Sequence, residues 1–172
     1  LTLPTMPRPT RIAINGFGRI GRHAFKVAFL KKNIQIVAIN DLVEPKMLAY
    51  LLKHDTAYPD VPYAVGFDGK HIIVKGKKIP VFAEKDPSLL PWKKLKVDVV
   101  LECTGRFTNK EGAGMHLKAG AKKVIISAPA KPARSASQSE AGGGGGVPTY
   151  VRAVNCGRVA KEKSLVINNA SC

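Results

Sequence analysis

Acidic residues are scarce in this chain. Its 172 residues hold 12 aspartates and glutamates against 28 lysines and arginines, a formal net charge of +16 at pH 7. Aromatic residues make up only 6%, and there are three cysteines. Each shortage excludes something. The cysteines, at 103, 156 and 172, are odd in number and widely spaced. That argues against a disulfide framework or a zinc site, and for reduced thiols in a reducing compartment. No apolar run approaches the ~20 residues needed to span a bilayer as a helix. The first ten residues, LTLPTMPRPT, hold no apolar stretch of the signal-peptide kind. No membrane partner is expected, and the expected location is cytoplasmic. The first residue is not Met; a start at Met6 and a fragment of a longer chain both fit.

The shortage of acids leaves a cationic surface, which attracts polyanions. The lysines are scattered in pairs at 31–32, 77–78, 93–94 and 122–123. There is no arginine-rich helix, zinc-finger spacing or aromatic-interleaved strand, so nucleic acid is not expected as a partner. Two readings stay open: a basic solvated surface suited to an anionic cofactor, and a polyanion-binding module.

What is present is a chain of ordinary hydrophobic content, 45%, long enough for one domain with a proper core. Near-continuous apolar runs at 11–15, 34–39, 97–103 and 123–127 read as strands of a parallel sheet covered on both faces. Apolar residues at helical spacing (Ile20, Ala24, Val27, Ala28 and Phe29) mark a helix over 19–32. Further helices are read at 44–54, from Met47, Leu48, Leu51 and Leu52, and at 109–119, closed by Gly120. Asp68-Gly69 between strand-like runs predicts a hairpin, followed by a strand over 79–83. Residues 87–94 read as a turn and short helix with Trp92 packed in part, and 164–167 as a last strand. The alternation predicts an α/β fold: a Rossmann-type, doubly wound, mostly parallel sheet with helices on both faces and a small antiparallel hairpin excursion. The expected organisation is an N-terminal extension over 1–10 and one domain over 11–172. Within it, 129–148 is rich in Gly, Ser, Ala and Pro and reads as a flexible loop.

Residues 11–21, RIAINGFGRIG, carry the chemistry. Gly16, Gly18 and Gly21 form G-x-G-x-x-G between a strand and a helix. The first allows a sharp turn, the second leaves room for a pyrophosphate, and the third lets helix and strand pack closely. The helix N-terminus then offers free N–H groups and a positive dipole end to phosphates. Asp41 lies twenty positions past Gly21, at the end of the second strand. There a carboxylate can accept bonds from both hydroxyls of an adenine ribose and repel a 2′-phosphate, which favours NAD over NADP. His23, His54, His71 and His116 read as surface or packing residues, and Cys103 and Cys156 as structural.

Several ordered motifs resemble the N-terminal, NAD-binding half of phosphorylating glyceraldehyde-3-phosphate dehydrogenases. They are INGFGRIGR at 14–22, IVAIND at 36–41, LLKHDT at 51–56, GKKIPVFAEKDPSLLPW at 76–92, ECTGRFT at 102–108, AGAKKVIISAPAK at 119–131, PTYV at 148–151 and NASC at 169–172. The resemblance implies that Asn15, Gly16, Arg19 and Ile20 border the cofactor phosphates. It implies that Lys85 lies near the adenine, that Thr104, Gly105 and Phe107 line the cleft, and that Ser127 sits near the nicotinamide end. It implies that Cys172 is the nucleophile toward an aldehyde phosphate. In the family the helix after this cysteine, the general-base histidine, the substrate-phosphate contacts and most of the homotetramer interface come later in the chain. The stretch 132–147 is longer than the family's usual connection. The expectation is a chain that binds NAD without turning over. The alternatives are a stand-alone nucleotide-binding or polyanion-binding module and an erythrose-4-phosphate dehydrogenase relative.

Overall fold

A computed structural model describes residues 8–54, 61–131 and 146–169. Eleven elements follow in chain order: β1 (Thr10–Asn15), α1 (Arg19–Phe29), β2 (Ile34–Asn40), α2 (Pro45–Lys53), β3 (Val65–Asp68), β4 (His71–Val74), β5 (Lys77–Phe82), β6 (Val99–Glu102), α3 (Lys110–Lys118), β7 (Lys123–Ile126) and β8 (Val166–Asn168). The sheet order is β3-β4-β5-β2-β1-β6-β7-β8. The run from β5 to β8 is parallel throughout, and only the β3-β4 and β4-β5 pairs are antiparallel. Set the β3-β4 hairpin aside, and the parallel strands fall in the doubly wound order 3-2-1-4-5-6. The expected Rossmann architecture is therefore present. The hairpin lengthens one edge of the same sheet, because β5 pairs with β4 on one side and β2 on the other.

Parallel strands need cover on both faces, and the core divides accordingly. Ile12, Ile14, Ile36 and Ile39 pack on one face with Phe25 and Ala28 of α1 and Leu48 and Leu52 of α2. Ala13, Val100, Val124 and Ile126 pack on the other with Trp92, Val97 and Ala113 of α3. Trp92 is fully buried rather than partly packed.

The helical faces differ in detail from the sequence reading. In α1 the buried residues are Gly21, Phe25 and Ala28, while Ile20 and Val27 are more than half exposed. Gly21 fixes the rotation of the helix, since a Cβ there would lie 2.1 Å from the Gly16 carbonyl oxygen. Phe25 and Ala28 share that face at i+4 and i+7. In α2 the inward residues are Leu48, Ala49 and Leu52, and Met47 is exposed. The glycine-rich stretch 132–145 lies outside the described residues. At its far end Val147 is buried, and its carbonyl accepts a bond from the Asn168 amide. Val166 and Ile167 of β8 are buried too, leaving Leu165 outside.

Candidate functional site

The chain runs from β1 outward to β5, then returns to β6 on the other side of β1. That reversal opens a crevice at the carboxyl ends of the strands, where open α/β sheets bind ligands. A cleft of about 260 Å³ lies there. Of the sequence-predicted site residues it brings together Asn15, Gly16, Gly18, Asp41, Lys85, Thr104 and Phe107. Arg19, Ile20 and Gly21 form the first turn of α1 behind it, with Gly21 buried beneath the β1-α1 turn. Gly105 continues the loop after β6 with φ +72°. Ser127 follows β7 and hydrogen-bonds the thiol of Cys103, itself a cleft residue. Cys172 lies outside the described residues.

The three glycines do separable work. Gly16 has φ +87°, and a Cβ there would come within 2.7 Å of the Thr104 backbone nitrogen. Only glycine lets the β1-α1 turn pass that close to the loop after β6. Gly21 meets the Gly16 carbonyl, as noted. Gly18 differs: a Cβ there would meet nothing within 4 Å. It faces open space at the helix N-terminus. No side chain caps α1, and its first turn holds no acid. The leading N–H groups of the helix thus have no capping side chain, and no acid of the helix's own first turn stands beside them.

Asp41 joins β2 to this turn. Its carboxylate accepts from the Phe17 backbone N–H at 2.6 Å and from the Val43 N–H at 3.0 Å. It fixes the turn while standing in the cleft wall.

Beneath the cleft runs a buried polar chain that sequence reasoning missed. The Trp92 indole N–H donates to His116 Nδ1 at 3.0 Å. Indole can only donate, so Nδ1 is the acceptor and Nε2 carries the imidazole proton. That proton points at Glu102 Oε2, 3.0 Å away. Asn15 Nδ2 donates to the same oxygen at 2.5 Å. The other oxygen, Oε1, accepts from the Thr104 N–H at 2.8 Å and from the Thr104 hydroxyl. Asn15 Oδ1 in turn accepts from Asn40 Nδ2 at 2.7 Å, and Asn40 bridges to the backbone N–H and C=O of Glu84. The chain therefore links the ends of β1, β2 and β6 and the loops after β5 and β6. A sequence signal for it exists. In the parallel strands β1, β2, β6 and β8 an apolar stretch closes on a polar residue, Asn15, Asn40, Glu102 and Asn168, each buried. His116 is a packing histidine, as expected, but one that also orients the site.

Burial pushes the Cys103 thiol up to about 11, against a smaller opposing effect of its bond to Ser127. At neutral pH it is a protonated, inert thiol, in keeping with the structural reading. In the folded chain at pH 7.5, Cys103 should escape iodoacetamide while the exposed Cys156 reacts. Unfolding should expose both, and mass spectrometry of labelled peptides reads the difference. Among the described residues no histidine, cysteine or carboxylate cluster could hold a metal, and no helix is long and apolar enough to cross a membrane.

A glycine turn at the switch point, an uncapped helix N-terminus beside open space and a carboxylate at the end of the second strand define a dinucleotide-binding Rossmann domain. Comparison with known proteins carries this further. The family model for the glyceraldehyde 3-phosphate dehydrogenase NAD-binding domain matches residues 10–110. The glyceraldehyde-3-phosphate dehydrogenase of Thermotoga maritima is 57% identical over 123 residues, which cover 70% of this chain and 37% of that protein. That of Geobacillus stearothermophilus is 44% identical over 162 residues, covering 94% of this chain and 44% of that protein. The Kluyveromyces marxianus glyceraldehyde-3-phosphate dehydrogenase 1 is 43% identical over 162 residues, with the same coverage. The chain belongs to the glyceraldehyde-3-phosphate dehydrogenase family, as its NAD-binding domain, and its cofactor is NAD. It spans less than half the length of these relatives. The residues present fit the group: Gly18 leaves space where a side chain would intrude, α1 presents unclaimed N–H groups, and Asp41 offers a carboxylate.

Proposed function

We propose that this chain serves an NAD-dependent oxidation of an aldehyde phosphate to an acyl phosphate. The observation that carries the proposal is the juxtaposition of the Gly16–Gly18 turn and Asp41 in one cleft at the switch point. In this reading the α1 N-terminus and the turn N–H groups hold the pyrophosphate, with Asn15, Arg19 and Ile20 bordering it. Asp41 receives the adenine ribose hydroxyls. Lys85 lies beside the adenine, Thr104, Gly105 and Phe107 line the cleft, and Ser127 stands toward the nicotinamide. Bound NAD supplies the hydride acceptor. Cys172 is assigned attack on the aldehyde carbon, forming a hemithioacetal; on giving up its hydride this would become a thioester, which phosphate would cleave to the acyl phosphate, freeing the thiol. For the complete enzyme the family resemblance implies a homotetramer, with most of its interface outside this NAD-binding half, and a cytoplasmic location.

In the complete enzyme, Cys172→Ala should lower aldehyde oxidation by about 10⁴-fold or more while leaving the NAD dissociation constant unchanged. Steady-state rates and calorimetry read the two separately. Retention of most activity would remove Cys172 from the proposed role.

A further inference from the structure

A second cleft, of about 690 Å³, lies at the opposite, amino ends of the parallel strands. Six cationic side chains line it: Arg8, Arg11, Lys93, Lys94, Lys96 and Lys122. One carboxylate answers them. Asp98 binds the Arg8 guanidinium through both oxygens, at 2.7 and 2.8 Å, and Lys122 at 2.9 Å. These partners hold the Asp98 carboxyl well below the usual carboxylate range, so its charge is fully engaged. Lys93, Lys94 and Lys96 are exposed and have no ion-pair partner among the described residues.

The lysines stand on a rigid platform. Their turn is closed by backbone bonds from Leu95 to Pro91, Lys96 to Lys93 and Val97 to Trp92. Trp92 and Val97 anchor it in the core, both fully buried. Gly120 butts against it so closely that a Cβ would lie 2.5 Å from that of Lys93. Lys96 itself sits at φ +49°, in the left-handed region that favours glycine. The chain keeps a lysine where glycine would cost less, and that lysine completes the cationic rim. Like charges gathered around one cleft repel one another, and an anion that spans them removes the repulsion.

We propose that this cleft is a binding site for a linear oligophosphate, separate from the cofactor cleft. Several phosphates in a row match several ammonium groups carried on one backbone-held turn. No aromatic side chain lines the cleft, so no base or ring stacking is on offer. A compact phosphate chain fits this chemistry better than a single-stranded nucleic acid. The two clefts lie at opposite ends of β1, a strand of six residues or about 20 Å, so both can be filled together.

The test is calorimetric titration of the chain with sodium tripolyphosphate, with and without saturating NAD. The proposal expects one saturable site, unaffected by NAD and weakened by salt. Lys94→Gln/Lys96→Gln should weaken it about tenfold or more, while Lys31→Gln/Lys32→Gln, on exposed residues elsewhere, should not. Lys96→Gly adds a readout with opposite signs: it should raise the unfolding temperature by relieving the backbone and still weaken tripolyphosphate. Four results would overturn the proposal: no saturable binding, equal loss in both double variants, competition by NAD, or displacement of tripolyphosphate by a lower concentration of a short DNA duplex. The third would put the anion in the cofactor cleft, and the fourth would make the partner a nucleic-acid backbone.

Discussion

Glu102→Ala should lower the folding stability of this chain by about 3–5 kcal/mol, a fall of roughly 10 °C in unfolding temperature for a domain of this size. Glu102 is 1% exposed and accepts from four donors: His116 Nε2, Asn15 Nδ2, and the N–H and hydroxyl of Thr104. Removing it strands the His116 and Asn15 donors in a buried space and the two Thr104 donors in a partly buried one, and each unsatisfied buried donor costs about 1–3 kcal/mol. Some donors would find water, which keeps the expected loss below their sum. The damage should also reach function. Glu102 links the β1 end, through Asn15, to the loop that holds Thr104 in the cleft wall. NAD affinity should therefore fall together with stability. Glu102→Gln should be milder, since one amide oxygen can keep two of the bonds, but its NH₂ would then face other donors. Denaturant unfolding monitored by the single, buried Trp92 measures the change. A loss below about 1 kcal/mol would mean that this polar chain is ornamental to stability.

Gly21→Ala should abolish useful NAD binding, and Gly18→Ala should not disturb the fold at all. The contrast follows from one measurement on each. At 21 the new Cβ would sit 2.1 Å from the Gly16 carbonyl oxygen, 3.1 Å from its carbon and 3.2 Å from Ile14 Cγ2. Two of those atoms are backbone, so no flexible side chain can step aside. The helix must move away from β1, and overpacking of this kind costs about 1–3 kcal/mol. It also displaces the turn N–H groups by about 1 Å, enough to cost about two orders of magnitude in a site that depends on fixed donors. At 18 a Cβ meets nothing within 4 Å, so stability should stay within about 0.5 kcal/mol. Any loss of NAD affinity in Gly18→Ala then reports directly on the cofactor's approach to the chain. If Gly21→Ala folds and binds NAD normally, the close packing of α1 on the turn is not what shapes the site.

Much of this was legible in the sequence because it is local. Strand β1, the glycine turn and α1 occupy one stretch of twenty residues, and the glycine spacing states the turn geometry directly. Asp41 is legible because a parallel strand and its crossover fix how far away the next strand end lies. The rotation of α1 was not, since apolar residues populate both sides of that helix, and only the contact between Gly21 and Gly16 selects Phe25 and Ala28 over Ile20 and Val27. The polar chain was the largest omission. Its members come from positions 15, 40, 92, 102 and 116, which no periodicity joins. Sheet topology brings them together, placing β6 beside β1 and α3 behind both. The basic cleft escaped notice for the same reason: Arg8, Arg11, the lysines of the 93–96 turn and Lys122 look scattered along the chain and converge only at the amino ends of adjacent strands.

The most direct test of the central claim is a calorimetric titration of the folded chain with NAD and with NADP, with Asp41→Ala alongside. Asp41 stands in the cleft wall and bonds the Phe17 N–H of the glycine turn. A carboxylate there accepts from ribose hydroxyls and repels a 2′-phosphate. The account predicts saturable NAD binding, NADP weaker by about tenfold or more, and loss of that preference in Asp41→Ala. A folded chain that binds neither nucleotide, or a preference that survives the substitution, would contradict it.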